Sequence, residues 1–209
     1  MSSRLALPLA AVAAAVAALV VLGACVVLLA FSAIANGAGG SGPPALPQTQ
    51  APAAPGAPAG LAVPPRGGSP SAFARVDIPP TYLALYLAAA ARFGLDWEIL
   101  AGIGRVECDH GRDPAPSCTV EGQFNAAGAG GPAQFLASTW RRYGISASGS
   151  GAPDMWNPPD AIFSMANYLR ACGAPGDYPR AIYGYNHAWW YVADVLGWAR
   201  RYRSSAPAG

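Results

Sequence analysis

From Leu9 to Phe31 the chain runs 23 residues without a charge, an amide or a hydroxyl. As a helix such a run is about 35 Å long, enough to cross a hydrocarbon core of about 30 Å. A cleaved secretory leader usually has a shorter apolar stretch, about 7–15 residues. Residues 1–35 are therefore expected to be a signal anchor. Arg4 and the amino terminus stay in the cytosol, and everything after residue 36 is sent outside. Two other readings stay open. Ala33-Ile34-Ala35 has the small-x-small form of a cleavage site, and Leu22-Gly23-Ala24-Cys25 resembles a lipoprotein box. A secreted or lipid-anchored chain would result, but all three readings place the remainder outside the cytoplasm.

The next stretch, residues 36–72, is rich in Pro, Ala and Gly. It cannot bury enough apolar surface to offset the entropy of ordering it. It is expected to be a disordered, semi-stiff linker. That leaves residues 73–205 to build a core, and about 130 residues suffice for one domain. All 13 basic residues are arginine, the formal net charge is only +2, and no basic patch stands out. Nucleic-acid binding has little support.

Residues 73–205 show no sustained alternation of apolar and polar residues, but helix punctuation recurs. Thr81 can open a helix over Tyr82–Phe93 that Gly94 closes, and Asp96 can cap one from Trp97. Pro132 suits the first turn of a helix running to Tyr143, with Gly144 as its stop. Asn157-Pro158 opens another through Ala171, and the last is expected over Ala188–Tyr202. The fold class is mainly α, with five or so helices. The loop Asp109–Gly131 is long for such a domain, and long ordered loops are often functional. Cys108 and Cys118 bracket its first part. Outside the cell they can pair in a disulfide worth about 3 kcal/mol, leaving Cys172 over. Sequence alone does not fix that pairing.

One carboxylate sits where a charge is costly. In the helix from Trp97, Ile99, Leu100, Ile103 and Val106 form an apolar stripe, and Glu107 continues it. A carboxylate there must be paired with a cation, Arg112 for example, or be protonated. Desolvation raises its pKa, as a general acid working near neutral pH requires. Glu98 and Arg105 lie on another face and read as solvated.

Four segments carry a resemblance. They are Ile103–Arg112 around Glu107, Gly128–Trp140 with Gln134, Asp154–Leu169, and Ala181–Ala188 with Tyr185-Asn186. In this order, over about 100 residues, the set resembles bacterial lytic transglycosylases. The third segment is similar to the membrane-bound lytic transglycosylase B type and its actinobacterial relatives. The resemblance implies a lysozyme-like helical fold with Glu107 as the catalytic acid. The substrate would be the glycan strand of peptidoglycan, cut between N-acetylmuramic acid and N-acetylglucosamine to leave a 1,6-anhydro end. By the same resemblance Gln134, Tyr185 and Asn186 bind substrate, and Asn125 falls where relatives often carry a small polar residue. No cofactor is implied.

The segment Ile145–Asp154 departs from the calcium loop of some relatives. Only Asp154 is a charged candidate ligand, so no such calcium site is expected. A zinc site from Cys108, His110, Cys118 and His187 is conceivable but fits no standard spacing. The remaining alternatives are a hydrolytic muramidase on the same fold and a non-catalytic wall-binding protein. Several of the aromatic residues, Trp140, Trp156, Trp189, Trp190 and Tyr191, are free to stack on sugars or to fill the core.

Overall fold

A computed structural model describes residues 56, 58, 61–63, 68–149 and 151–203. The expected signal anchor and most of the linker lie outside the described residues. Among the described residues no helix is long and apolar enough to cross a membrane.

The domain is mainly helical. Its elements are α1 (Ala72–Asp77), α2 (Pro80–Phe93), α3 (Trp97–Cys108), a 3-10 turn (Asp109–Gly111), α4 (Pro116–Thr119), strands β1 (Ala129–Gly130) and β2 (Phe135–Leu136), α5 (Ala137–Tyr143), α6 (Pro158–Ala171), α7 (Tyr178–Tyr185) and α8 (Trp189–Tyr202). Local chemistry sets many of the ends. Gly94 closes α2 at φ 63°, a left-handed cap that glycine adopts without a Cβ penalty. The Asn157 side chain accepts from the Asp160 N–H at the start of α6, and Asp177 accepts from the Arg180 N–H at the start of α7.

Helix α3 lies at the centre, packed on α8 and α2 and touching α6; α7 closes the bundle against α6 and α8. Ile99, Leu100 and Ile103 of α3 meet a core that includes Met165, Leu169, Ile182, Val192 and Leu196, all fully buried. Gly102 allows α8 to come close. A Cβ there would stand 2.6 Å from the Val195 carbonyl oxygen, too near for any larger residue without a shift. This contact fixes the register of the two helices, which run past each other in opposite senses. Five residues onward along α3 stands Glu107, and four residues back along α8 stands Tyr191.

Four expectations need correction. Glu98 is not solvated. It is fully buried, and its Oε1 lies 3.1 Å from the Arg203 guanidinium. Burial pushes its pKa up, and Arg203 acts in the opposite direction. The stripe reading failed because α3 is enclosed nearly all round, so its second face is also interior. Arg105 is half-buried, pairs with Asp109, and lies over the Trp198 ring at 4.6 Å. The helix expected from Pro132 begins only at Ala137, after the two-residue hairpin β1–β2. Its cause is Gln134, whose φ of 47° interrupts any helix. Finally, the end of the expected linker packs on the domain. The Ser71 N–H donates to the Tyr202 carbonyl at 2.9 Å, Trp97 Nε1 donates to the Gly68 carbonyl at 2.8 Å, and Leu61 rests on the core. Helices α1, α4 and α7 were also absent from the sequence reading.

Candidate functional site

Glu107 stands in the last turn of α3, where the helix ends abruptly. Asp109 and His110 both take left-handed conformations, at φ 46° and 55°, and Gly111 follows at φ 76°. The chain thereby turns into the long loop directly after Glu107, and the Glu107 side chain is half-buried. Its Oε1 accepts a hydrogen bond of 2.5 Å from the Tyr191 hydroxyl of α8. Tyr191 is 1% exposed, so the donor is fixed inside the core.

No cation among the described residues pairs with this carboxyl. Arg112 instead binds the Asp109 carboxylate at 2.7 Å and the Asp77 carbonyl at 2.6 Å. Burial pushes the Glu107 pKa up to about 7, and the Tyr191 hydrogen bond pulls the other way without cancelling it. Asp109, two residues on, turns to Arg105 and Arg112. Asp154 caps its own turn by accepting from the Trp156 N–H. Neither acid is a second carboxylate for Glu107.

The loop after α3 is held by a disulfide between Cys108 and Cys118, with Cα atoms 5.8 Å apart. Both residues are buried. The link ties the residue after Glu107 to α4, and α4 is tied in turn to the hairpin. The Gly131 N–H donates to the Ser117 carbonyl at 2.8 Å. Gln134 completes this hub. Its Nε2 donates to the Ser117 and Gly131 carbonyls at 3.0 and 2.8 Å, and its Oε1 accepts from Asn125 Nδ2 at 3.0 Å. Asn125 Oδ1 in turn accepts from the N–H groups of Ala127 and Ala129. Asn125 and Gln134 are therefore brought together as a bonded pair that shapes the loop. Both amide hydrogens of Gln134 are committed to backbone, while its oxygen keeps one lone pair.

Tyr185 ends α7 and donates to the Ala133 carbonyl at 2.6 Å, which docks that helix on the turn of the hairpin. Burial raises its phenol far above the ordinary value, and the nearby Glu107 charge adds to the rise. Asn186 follows in an extended conformation, half-buried, and its side-chain amide makes no hydrogen bond to another described residue. It does not cap the last helix: that position is Ala188, which has no side-chain cap. Tyr185 and Tyr191 are both close enough to Glu107 to feel its charge. Sequence reasoning missed the hydroxyl of Tyr191. A signal was present: Tyr191 lies on the buried stripe Tyr191–Val195–Leu196–Ala199–Tyr202 of α8, and a buried phenol requires a partner for its O–H.

The conceivable zinc ligands serve other ends. Cys108 and Cys118 are joined, and His110 is buried between two tyrosines, with Nδ1 3.0 Å from the Tyr86 hydroxyl and Nε2 2.9 Å from that of Tyr202. Tyr202 donates to Asp77 at 2.7 Å, so it must accept from His110, and Tyr86 must donate. Burial, the largest cause, lowers the His110 pKa to about 4, which keeps the ring neutral. Among the described residues no group of three or more His, Cys, Asp or Glu is placed to hold a metal. In the segment before α6, the Asp160 carboxylate accepts from the N–H groups of Ala147 and Asp154 at 2.7 and 3.0 Å, tying that loop to the helix start.

Comparison with known proteins adds to this geometry. Residues 119–182 match the family described as the transglycosylase SLT domain. That segment contains Asn125 and Gln134, whereas Glu107, Tyr185, Asn186 and Tyr191 flank it. A stretch of 54 residues is 44% identical to the membrane-bound lytic murein transglycosylase B of Escherichia coli K12. It amounts to 26% of this chain, and the chain spans only 14% of that relative's length. Among solved structures, the Escherichia coli lytic transglycosylase Slt35 in complex with calcium is 18% identical, with a TM-score of 0.46 over 61% of this chain and 76% of that one. The same enzyme in complex with bulgecin A gives a TM-score of 0.44 at 18% identity over the same shares. The resemblance to lytic transglycosylases of the SLT type is thus carried both by a domain match and by local identity.

Proposed function

We propose that this protein is a peptidoglycan lytic transglycosylase with Glu107 as its single catalytic acid and base. The observation that carries the reading is the Glu107 carboxyl itself. It is held by the Tyr191 hydroxyl, with no cation or second carboxylate among the described residues paired with it, and burial raises its pKa to about 7. An ordinary glycosidase needs a second carboxyl group about 5–9.5 Å from the first. A transglycosylase does not, because the substrate supplies its own nucleophile.

The reaction balances with one carboxyl. Glu107 in its acid form gives its proton to the glycosidic oxygen linking N-acetylmuramic acid to N-acetylglucosamine. The bond from that oxygen to the anomeric carbon breaks, and the N-acetylglucosamine unit leaves as an alcohol. The resulting carboxylate takes the proton of the muramic 6-hydroxyl as its oxygen closes on the anomeric carbon. The product is a 1,6-anhydro end, no water is consumed, and Glu107 regains its proton. A pKa near 7 keeps both forms accessible at neutral pH.

The neighbours divide the remaining work. Asn186, whose amide is uncommitted, is suited to hold the acetamido group or to set its dipole against the oxocarbenium-like transition state. Gln134 offers the spare lone pair of its oxygen to an acetamido N–H. Asn125 and Tyr185 fix the loop and hairpin that carry Gln134. The lysozyme-like architecture, the anchor over 1–35, a linker from residue 36 whose end packs on the domain, and the catalytic domain that follows it to residue 205 belong to the same reading. They describe an enzyme anchored in the cell membrane that works on the wall outside.

Mass spectrometry of the fragments released from purified peptidoglycan by the full chain tests it. Anhydro ends, one water lighter than reducing ends and absent with Glu107→Gln, are expected. Reducing ends that depend on Glu107 would make the enzyme a hydrolase, and wall binding with no release would remove catalysis altogether.

A further inference from the structure

Of the six tryptophans, five are buried or half-buried. Trp97 is 6% exposed, Trp140 packs on Phe135 at 5.3 Å, Trp156 on Phe124 at 5.2 Å and Trp189 on Tyr183 at 4.5 Å. Trp198 lies between Arg105 and Arg201. Trp190 is different. It is 66% exposed, and its one aromatic contact among the described residues is Tyr191, at 6.0 Å and nearly perpendicular.

Its location gives the exposure meaning. Trp190 is in the first turn of α8, and the next residue is the buried tyrosine that holds Glu107. The segment that presents the acid's hydrogen-bond donor inward also carries this exposed flat side chain, whose ring centroid stands 6.0 Å from that of the tyrosine bonded to Glu107 and whose position is four residues after Asn186. An indole this exposed leaves most of its apolar surface in water and adds little to the core. Beside a site for a polysaccharide it has a partner of matching shape, since the axial C–H faces of a pyranose ring are flat and apolar while its hydroxyls lie at the edge.

We propose that Trp190 is a sugar-stacking residue, forming a binding subsite for one saccharide ring of the glycan strand next to the bond that Glu107 cleaves. This deepens the transglycosylase reading and rests on it. The stacking energy of such a face is worth roughly a three- to tenfold change in affinity.

The test uses the full chain and solubilised peptidoglycan glycan strands, with steady-state kinetics of the wild type, Trp190→Ala and Trp190→Tyr. Binding of the same strands is measured by calorimetry with and without Trp190→Ala in a Glu107→Gln background. Expected are a three- to tenfold rise in KM and in Kd for the Ala variant, kcat within about twofold, substantial recovery by Tyr and an unchanged melting temperature. An unchanged KM and Kd in the Ala variant, with the wild type cleaving normally, overturns the stacking role and leaves the enzyme assignment standing. A fall in kcat with KM and Kd unchanged overturns it too, because it shows a disturbance passed on through Tyr191. Failure of the Glu107→Gln protein and of the wild type to bind glycan at all removes the transglycosylase reading and this proposal with it.

Discussion

Glu107→Gln should make the fold more stable in alkaline solution than in acid, relative to the wild type. The Glu107 pKa is raised from 4.5 to about 7 in the folded protein, chiefly by burial. Below pH 4.5 the acid is protonated in both folded and unfolded chains and contributes nothing. Between pH 4.5 and 7 the unfolded chain sheds the proton while the folded one retains it, so rising pH destabilises the fold. Above pH 7 the cost is complete. A displacement of this size amounts to about 3 kcal/mol, at 1.36 kcal/mol per pKa unit. Glutamine keeps the shape and an acceptor for the Tyr191 hydroxyl but cannot ionise. Any fixed offset that the amide introduces is present at every pH, so the informative quantity is the change in the stability gap between pH 4 and pH 8.5. That change should be about 3 kcal/mol in favour of the variant, or about 10 °C in melting temperature for a domain of this size. Urea unfolding of both proteins at the two pH values measures it, and other titrating groups cancel in the difference. A gap that moves by less than about 1 kcal/mol across that range would refute the argument, because the carboxyl would then be solvated or paired.

Other outcomes follow from the same geometry. His110 acts in the opposite sense: its pKa falls from 6.5 to about 4, so its contribution is intact above pH 6.5 and is lost as pH falls toward 4. In the wild type the two groups offset each other, and the Glu107→Gln protein should unmask a loss of about 3 kcal/mol on acidification, visible in the same unfolding series. Tyr191→Phe removes the hydrogen bond that lowers the Glu107 pKa, so the alkaline limb of the pH–activity profile should shift to higher pH; a limb that stays in place or moves to lower pH contradicts the assignment. Reduction of the Cys108–Cys118 disulfide by a dithiol frees α4 from the residue after Glu107, and glycan release should fall at least tenfold while far-ultraviolet circular dichroism retains its helical signal.

The sequence alone determined what depends on local pattern. The stripe Ile99–Leu100–Ile103–Val106 placed Glu107 at the core-facing end of its helix; Gly94 marked the end of α2, Asp96 the start of α3 and Asn157-Pro158 the start of α6. The ordered motifs named the residues that the structure gathers on one hub, Asn125 with Gln134 and Tyr185 with Ala133. Tertiary contact decided the rest. Glu98 looked solvated because a stripe describes one face, and only the packing of α3 within the bundle buries the other. The hairpin at Gln134 overrode a plausible helix because the amide of that residue bonds three partners distant in sequence or across a turn. The hydroxyl that holds the acid comes from Tyr191, 84 residues away, and it arrives there only because Gly102 lets α8 settle against α3 in one register. Periodicity tells a residue which way to face, but which group it meets there depends on how two helices pack, and that contact is set by side chains far apart in the chain.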